Sequence, residues 1–156
     1  MARVWRMLTV GRPKDQRVSE LIDEYRKRVG PWMAVDWETV PEIGYKAGQE
    51  HETLERESKS LAGKLAPSDF VVILDIQGQS MDSVALSRQL AGYCERSLPV
   101  VFVVGASLGL GPGIKERANW RWSLSPLTLP HALAQLFTIE QIYRAFSIMH
   151  HHPYHK

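Results

Sequence analysis

Apolar positions along this chain recur with two different spacings, and the spacings alternate from segment to segment. RVWRMLTV (3–10) is rich in β-formers and stops at Gly11, which predicts a strand. DQRVSELIDEYRKRVG (15–30) sets Val18, Leu21, Ile22, Tyr25 and Val29 at helical spacing, and Gly30-Pro31 ends the helix. AVDWETV (34–40) alternates Val35, Trp37 and Thr39 with Asp36 and Glu38, then halts at Pro41: a strand with one wet face. PEIGYKAGQ reads as a loop. EHETLERESKSLAGKLA (50–66) predicts a polar helix whose thin apolar stripe runs through Leu54, Leu61 and Leu65.

FVVILDI (70–76) and LPVVFVVG (98–105) have a different character. Both are nearly continuous apolar runs, the pattern of parallel strands covered on both faces. DSVALSRQLAGYCER (82–96) lies between them at helical spacing, with Asp82 or Ser83 as its N-cap, so a β-α-β unit with a right-handed crossover is expected. A glycine-rich loop follows, then a short helix near 114–118, a short strand near 120–124 and the loop SPLTLP. A last helix is predicted from Pro130 to about Met149. The class is α/β, expected as a single domain over 1–156 with no internal repeat.

Composition narrows the class. Apolar content of 44% against 23% charged residues belongs to folded globular chains rather than disordered ones. No apolar run nears the ~20 residues that span a membrane. The opening MARVWRMLTVG is interrupted by Arg3 and Arg6 and lacks the core of a secretory signal. One cysteine, Cys94, cannot close an internal disulfide. A cytoplasmic protein is expected. The formal net charge is only +2, which by itself announces no nucleic acid. Its distribution is uneven: residues 1–30 carry a local +4 and residues 31–70 a local −4. The cluster Arg26, Lys27, Arg28 can meet phosphates, or can simply face the negative end of its own helix dipole.

Three stretches carry candidate chemistry. In VVGASLGLGPGIKE (103–116), four glycines sit where a buried strand exits and a helix begins, the usual ligand position in an open α/β sheet. The spacing matches neither the dinucleotide fingerprint nor the triphosphate loop, so a tight turn without ligand stays open. WSLSPLTLPH (122–131) is an apolar loop that must either pack under something or wrap an apolar ligand such as a purine. The last helix has apolar residues well beyond one face: Leu133, Leu136, Ile139, Tyr143 and Phe146 on one side, Phe137, Ile142, Ala145 and Met149 widening it. A second subunit is the natural cover for the surplus. Glu140 and Arg144 stand four apart, either as a weak surface pair or with Arg144 set to clamp a phosphate or carboxylate. His150, His151, His152 and His155 offer imidazoles, but consecutive histidines in an extended tail point in alternating directions. No H-E-x-x-H, cysteine or nearby acid accompanies them, so no metal is expected.

LDIQGQSMDS, VVFVVGASLGLGPGI and WSLSPLTLPHALAQLFTIEQIYRAFSIMHHHPYHK together resemble the RlmH family, bacterial methyltransferases acting on pseudouridine of large-subunit ribosomal RNA. The resemblance spans nearly the whole chain and is most specific in L-S-x-L-T-L-P-H, Y-R-A and H-P-Y-H-K. It implies a SPOUT fold with a trefoil knot at about 70–150, a homodimer, S-adenosylmethionine as methyl donor and 23S rRNA within the ribosome as substrate, with no membrane. Matching positions imply a donor site at Leu74, Gly105, Leu124, Ser125, Pro126, Leu127, Thr128 and Leu129. Arg144, Tyr154 and His155 are the catalytic candidates, on a tail expected to fold over a donor pocket, its own or a partner's. The chain departs from the family at Ala106, Ser107 and Leu108, where a second glycine and often an acid are usual. Another SPOUT enzyme acting on tRNA or a ribose 2′-hydroxyl, a non-catalytic ribosome-binding factor, and a metal-dependent hydrolase built on the tail histidines are the competing readings.

Overall fold

A computed structural model describes residues 4–156. Arg3, placed in the first strand on sequence grounds, lies outside the described residues. The elements run β1 (Val4–Val10), α1 (Gln16–Val29), β2 (Ala34–Val40), α2 (Glu50–Ala62), β3 (Phe70–Gln79), α3 (Ser83–Glu95), β4 (Val100–Val104), α4 (Pro112–Arg117), β5 (Trp120–Trp122) and α5 (His131–Met149). The five strands form one sheet in the order β2-β1-β4-β3-β5, and every pairing is parallel.

Strand periodicity decides how the sheet divides the core. Trp5 and Met7, Val72, and Val100 and Phe102 point to one face, where α1, α3 and α5 cover them. Leu8 and Val10, Val71 and Ile73, and Val101 and Val103 point to the other, against Leu61 of α2 and Ile114 of α4. β3 and β4 are therefore buried on both sides, as their continuous apolar runs required. The edge strand β2 keeps Asp36 exposed while Val35 and Trp37 are buried, the expected single wet face.

Local chemistry sets several boundaries. Asp15 caps α1 by accepting from the Arg17 amide at 2.9 Å. Asp82 caps α3 by accepting from the Ala85 amide at 2.8 Å. α2 stops at Ala62, short of the sequence expectation, because Gly63 and the following turn take over.

The main surprise is β3. It continues to Gln79, but its pairing with β5 slips between Leu74 and Gln79, both of which face Trp122. The residues between them leave the ladder as a wide bulge. Gly78 passes so close to β5 that a Cβ there would meet the Arg121 carbonyl oxygen at 2.6 Å. The bulge and the loops after β1 and β4 share the sheet's carboxyl edge, where the candidate site lies.

Candidate active site

The cavity at this edge has a volume of about 400 Å³, in the size range of small-molecule sites. Leu74 and the β3 bulge form one wall, the turn after β4 a second, and the loop after β5 a third. Seven of the eight positions expected to hold the donor line it: Leu74, Gly105, Leu124, Ser125, Leu127, Thr128 and Leu129. Pro126 does not; it is exposed at the tip of its loop.

Each wall has a local cause. Gly105 lies against the backbone of Gly109, and a Cβ would collide with the Gly109 carbonyl oxygen. The turn closes through the Gly109 amide, which donates to the Ala106 carbonyl at 2.9 Å, with Gly109 at φ +78°. The apolar loop is shaped by its serines. The Ser123 hydroxyl donates to the Ser125 carbonyl at 3.1 Å, and the Ser125 hydroxyl accepts from the Leu127 amide at 3.0 Å. This fold of the loop leaves Leu127 71% exposed, an unusual state for a leucine beside a pocket.

Asp75, Lys115 and His131 also line the cavity, and sequence reasoning singled out none of them. Asp75 had one visible signal, an acid ending an otherwise apolar strand. Lys115 and His131 lay inside the glycine-rich stretch 103–116 and the apolar stretch 122–131, but no spacing showed that their side chains would line the cavity.

The catalytic candidates form a separate cluster. The Arg144 guanidinium donates to Glu140 through Nε at 3.0 Å and through NH2, and Tyr154 donates its hydroxyl to the same carboxylate oxygen at 2.9 Å. Arg144 also lies 4.7 Å from the Tyr154 ring centre. Its NH1 donates to His155 Nδ1 at 3.1 Å; a guanidinium only donates, so the His155 proton is on Nε2. Glu140, an exposed pair member on sequence grounds, is instead the hub of this cluster, with only 15% of its side chain exposed.

Burial, then hydrogen bonds to Tyr25 and Glu140, push the Tyr154 phenol well above its ordinary value. Burial works against the Arg144 charge, but the Glu140 carboxylate outweighs it and holds the guanidinium protonated.

The tail is ordered by aromatic packing. Trp32 stacks on His150 at 5.0 Å and 5°, and Tyr143 meets Tyr154 edge-on at 4.6 Å. It rests on α1 and α5 of its own chain, and Arg144, Tyr154 and His155 do not line the cavity of that chain. Among the described residues no group of three or more histidines, cysteines or acids gathers around a common metal position.

Of the basic cluster at the end of α1, Arg26 donates to the Val35 carbonyl at 2.8 Å and to Asp23. Arg28 donates to Glu24 and covers the Tyr25 ring. Both are held within the molecule. Among the described residues no helix is long and apolar enough to cross a membrane.

The chain belongs to the SPOUT methyltransferase family, whose model, described as "Predicted SPOUT methyltransferase", matches residues 4–155. Within that class, curated relatives from different bacteria share a name. The chain is 37% identical over 155 residues to Ribosomal RNA large subunit methyltransferase H of Desulforamulus reducens, covering 96% of this chain and 97% of that one. The protein of the same name from Anaeromyxobacter dehalogenans is 38% identical over 151 residues, covering 97% and 98%. Among solved structures, a probable methyltransferase from Bordetella pertussis Tohama I shares the fold with a TM-score of 0.56 at 14% identity, over 92% of this chain and 94% of that one.

Proposed function

We propose that this chain is an S-adenosylmethionine-dependent methyltransferase that modifies N3 of a pseudouridine in 23S rRNA, acting in the cytoplasm as a single-domain homodimer on assembled ribosomes. One observation carries the reading: three segments far apart in sequence, each expected from the family resemblance to hold the donor, line one cavity. The names of the relatives supply the large-subunit rRNA, and the resemblance of the tail motif supplies the base.

The residues fit the donor. The apolar loop 124–129 suits a purine, whose edge its backbone groups can read, and Gly105 leaves room for close approach. When bound, S-adenosylmethionine supplies a methyl group on a sulfonium, ready for in-line displacement. The chain must position the base and remove the imide proton from N3. Arg144, held by Glu140, favours the imide anion or grips a neighbouring phosphate. Tyr154 stays a neutral phenol and donates a hydrogen bond. His155 Nδ1 receives the proton once Arg144 turns from it to the substrate.

Cavity and cluster belong to different regions of one chain, which favours a site completed across a dimer. On α5, Ile142 and Ala145 are buried within the chain itself, and the apolar surface left for a partner is at Phe137. Phe137 is 41% exposed and lines, with Met81 and Leu127, a second groove that shares the 124–129 loop with the donor cavity.

The test is methylation of ribosomes from a strain lacking this protein, followed by nucleoside mapping. A methyl group on N3 of a large-subunit pseudouridine is expected. A methyl group on tRNA or on a ribose 2′-hydroxyl overturns the substrate. Failure to bind S-adenosylmethionine overturns the enzyme.

A further inference from the structure

The β3 bulge carries Asp75 into the cavity in an unusual state. Its Oδ1 accepts from the Gln77 amide at 3.0 Å, which locks the side chain to its own turn. Its Oδ2 is buried and has no hydrogen-bond partner, and the residue as a whole is 9% exposed. A buried carboxylate oxygen left unpaired is costly, and such oxygens ordinarily find a donor. The nearest cation is Lys115 of α4, whose Nζ lies 4.0 Å from Oδ2, beyond hydrogen-bond distance. Lys115 also lines the cavity, with a third of its side chain exposed.

Among the described residues Asp75 is the one acidic side chain lining the cavity, because Ala106, Ser107 and Leu108 bring none from the turn. His131, the remaining ionisable group there, turns toward Glu42 at 4.0 Å. The cavity therefore holds a carboxylate and an ammonium that pair by charge at 4.0 Å without a hydrogen bond, each left with hydrogen-bonding capacity for a small group of matching polarity. A lone cation would gain little between them, since Lys115 repels what Asp75 attracts. An α-amino acid zwitterion satisfies both: its ammonium donates to Oδ2 and its carboxylate accepts from Nζ.

We infer that Asp75 and Lys115 seat the amino-acid end of the methyl donor, leaving the apolar loop 124–129 to the adenosine. The assignment rests on the donor reading above and goes beyond it by fixing the orientation of the donor in the cavity.

Calorimetry on the full chain tests it with three probes: S-adenosylmethionine, S-adenosylhomocysteine and 5′-methylthioadenosine, which lacks the amino-acid end. Asp75→Asn keeps Oδ1 for the Gln77 amide, so the turn should survive, and Lys115→Met is an independent second variant. Each should weaken the first two probes by about tenfold or more, the loss of a charge-assisted hydrogen bond, and leave methylthioadenosine within about twofold. Equal losses for all three probes, or unchanged affinity for the first two, overturn the inference while the donor reading stands. If the unmodified protein binds none of the three, both fall together.

Discussion

Glu140→Gln is the most informative single change, because one carboxylate organises the whole cluster of Arg144, Tyr154 and His155. It accepts from Arg144 Nε, Arg144 NH2 and Tyr154 OH, three bonds to a charged acceptor. Glutamine keeps the shape and an acceptor oxygen but removes the charge, which costs about 1 kcal/mol for each bond that becomes neutral at its acceptor. A quarter of the Arg144 side chain is exposed, and solvent screening reduces the total to about 1–2 kcal/mol. For a chain of this length that corresponds to a fall in Tm of roughly 2–8 °C. Urea unfolding measures the stability, and hydrogen exchange over residues 150–156 measures whether the tail detaches. Donor affinity should stay within about twofold, since no member of this cluster lines the cavity. kcat should fall by about tenfold or more while KM for ribosomes changes less, as for a group that positions others. Unchanged tail protection together with unchanged kcat would refute the reasoning, and so would an equal loss of donor binding.

Three further outcomes are expected. Gly105→Ala puts a Cβ into the Gly109 carbonyl, which should destabilise by about 1–3 kcal/mol and abolish donor binding, checked by thermal shift with and without S-adenosylmethionine. Deleting residues 150–156 should preserve donor binding and abolish transfer, and full activity in the truncated protein would make the tail dispensable. Tyr154 holds its proton more tightly folded than unfolded, so its contribution is complete below the ordinary phenol value of 10.0 and declines as pH climbs through its raised folded-state value. The stability gap between the unmodified protein and Tyr154→Phe should therefore narrow above pH 10, measured by denaturant unfolding across that range.

Much of this molecule was legible before any coordinates. Continuous apolar runs at 70–76 and 98–105 determined two strands buried on both faces, and alternation at 34–40 determined a strand with one wet face. These follow from local periodicity, which each segment carries alone. Glycine at 105 and the leucines of the 124–129 loop marked walls of the cavity for a similar reason: room for close approach and apolar surface are properties of residue type. What the tertiary structure alone decided is which distant groups meet. The slip between Leu74 and Gln79 depends on how β5 passes β3, and without it Asp75 would read as an ordinary strand-end acid rather than a buried carboxylate with one oxygen lacking a hydrogen bond. Glu140 looked like half of a weak surface pair until Tyr154, fourteen residues on, closed over it. Sequence spacing governs what one element presents to its neighbours. The strength of a charge is governed by burial and by partners from other elements, and those exist only once the chain has folded.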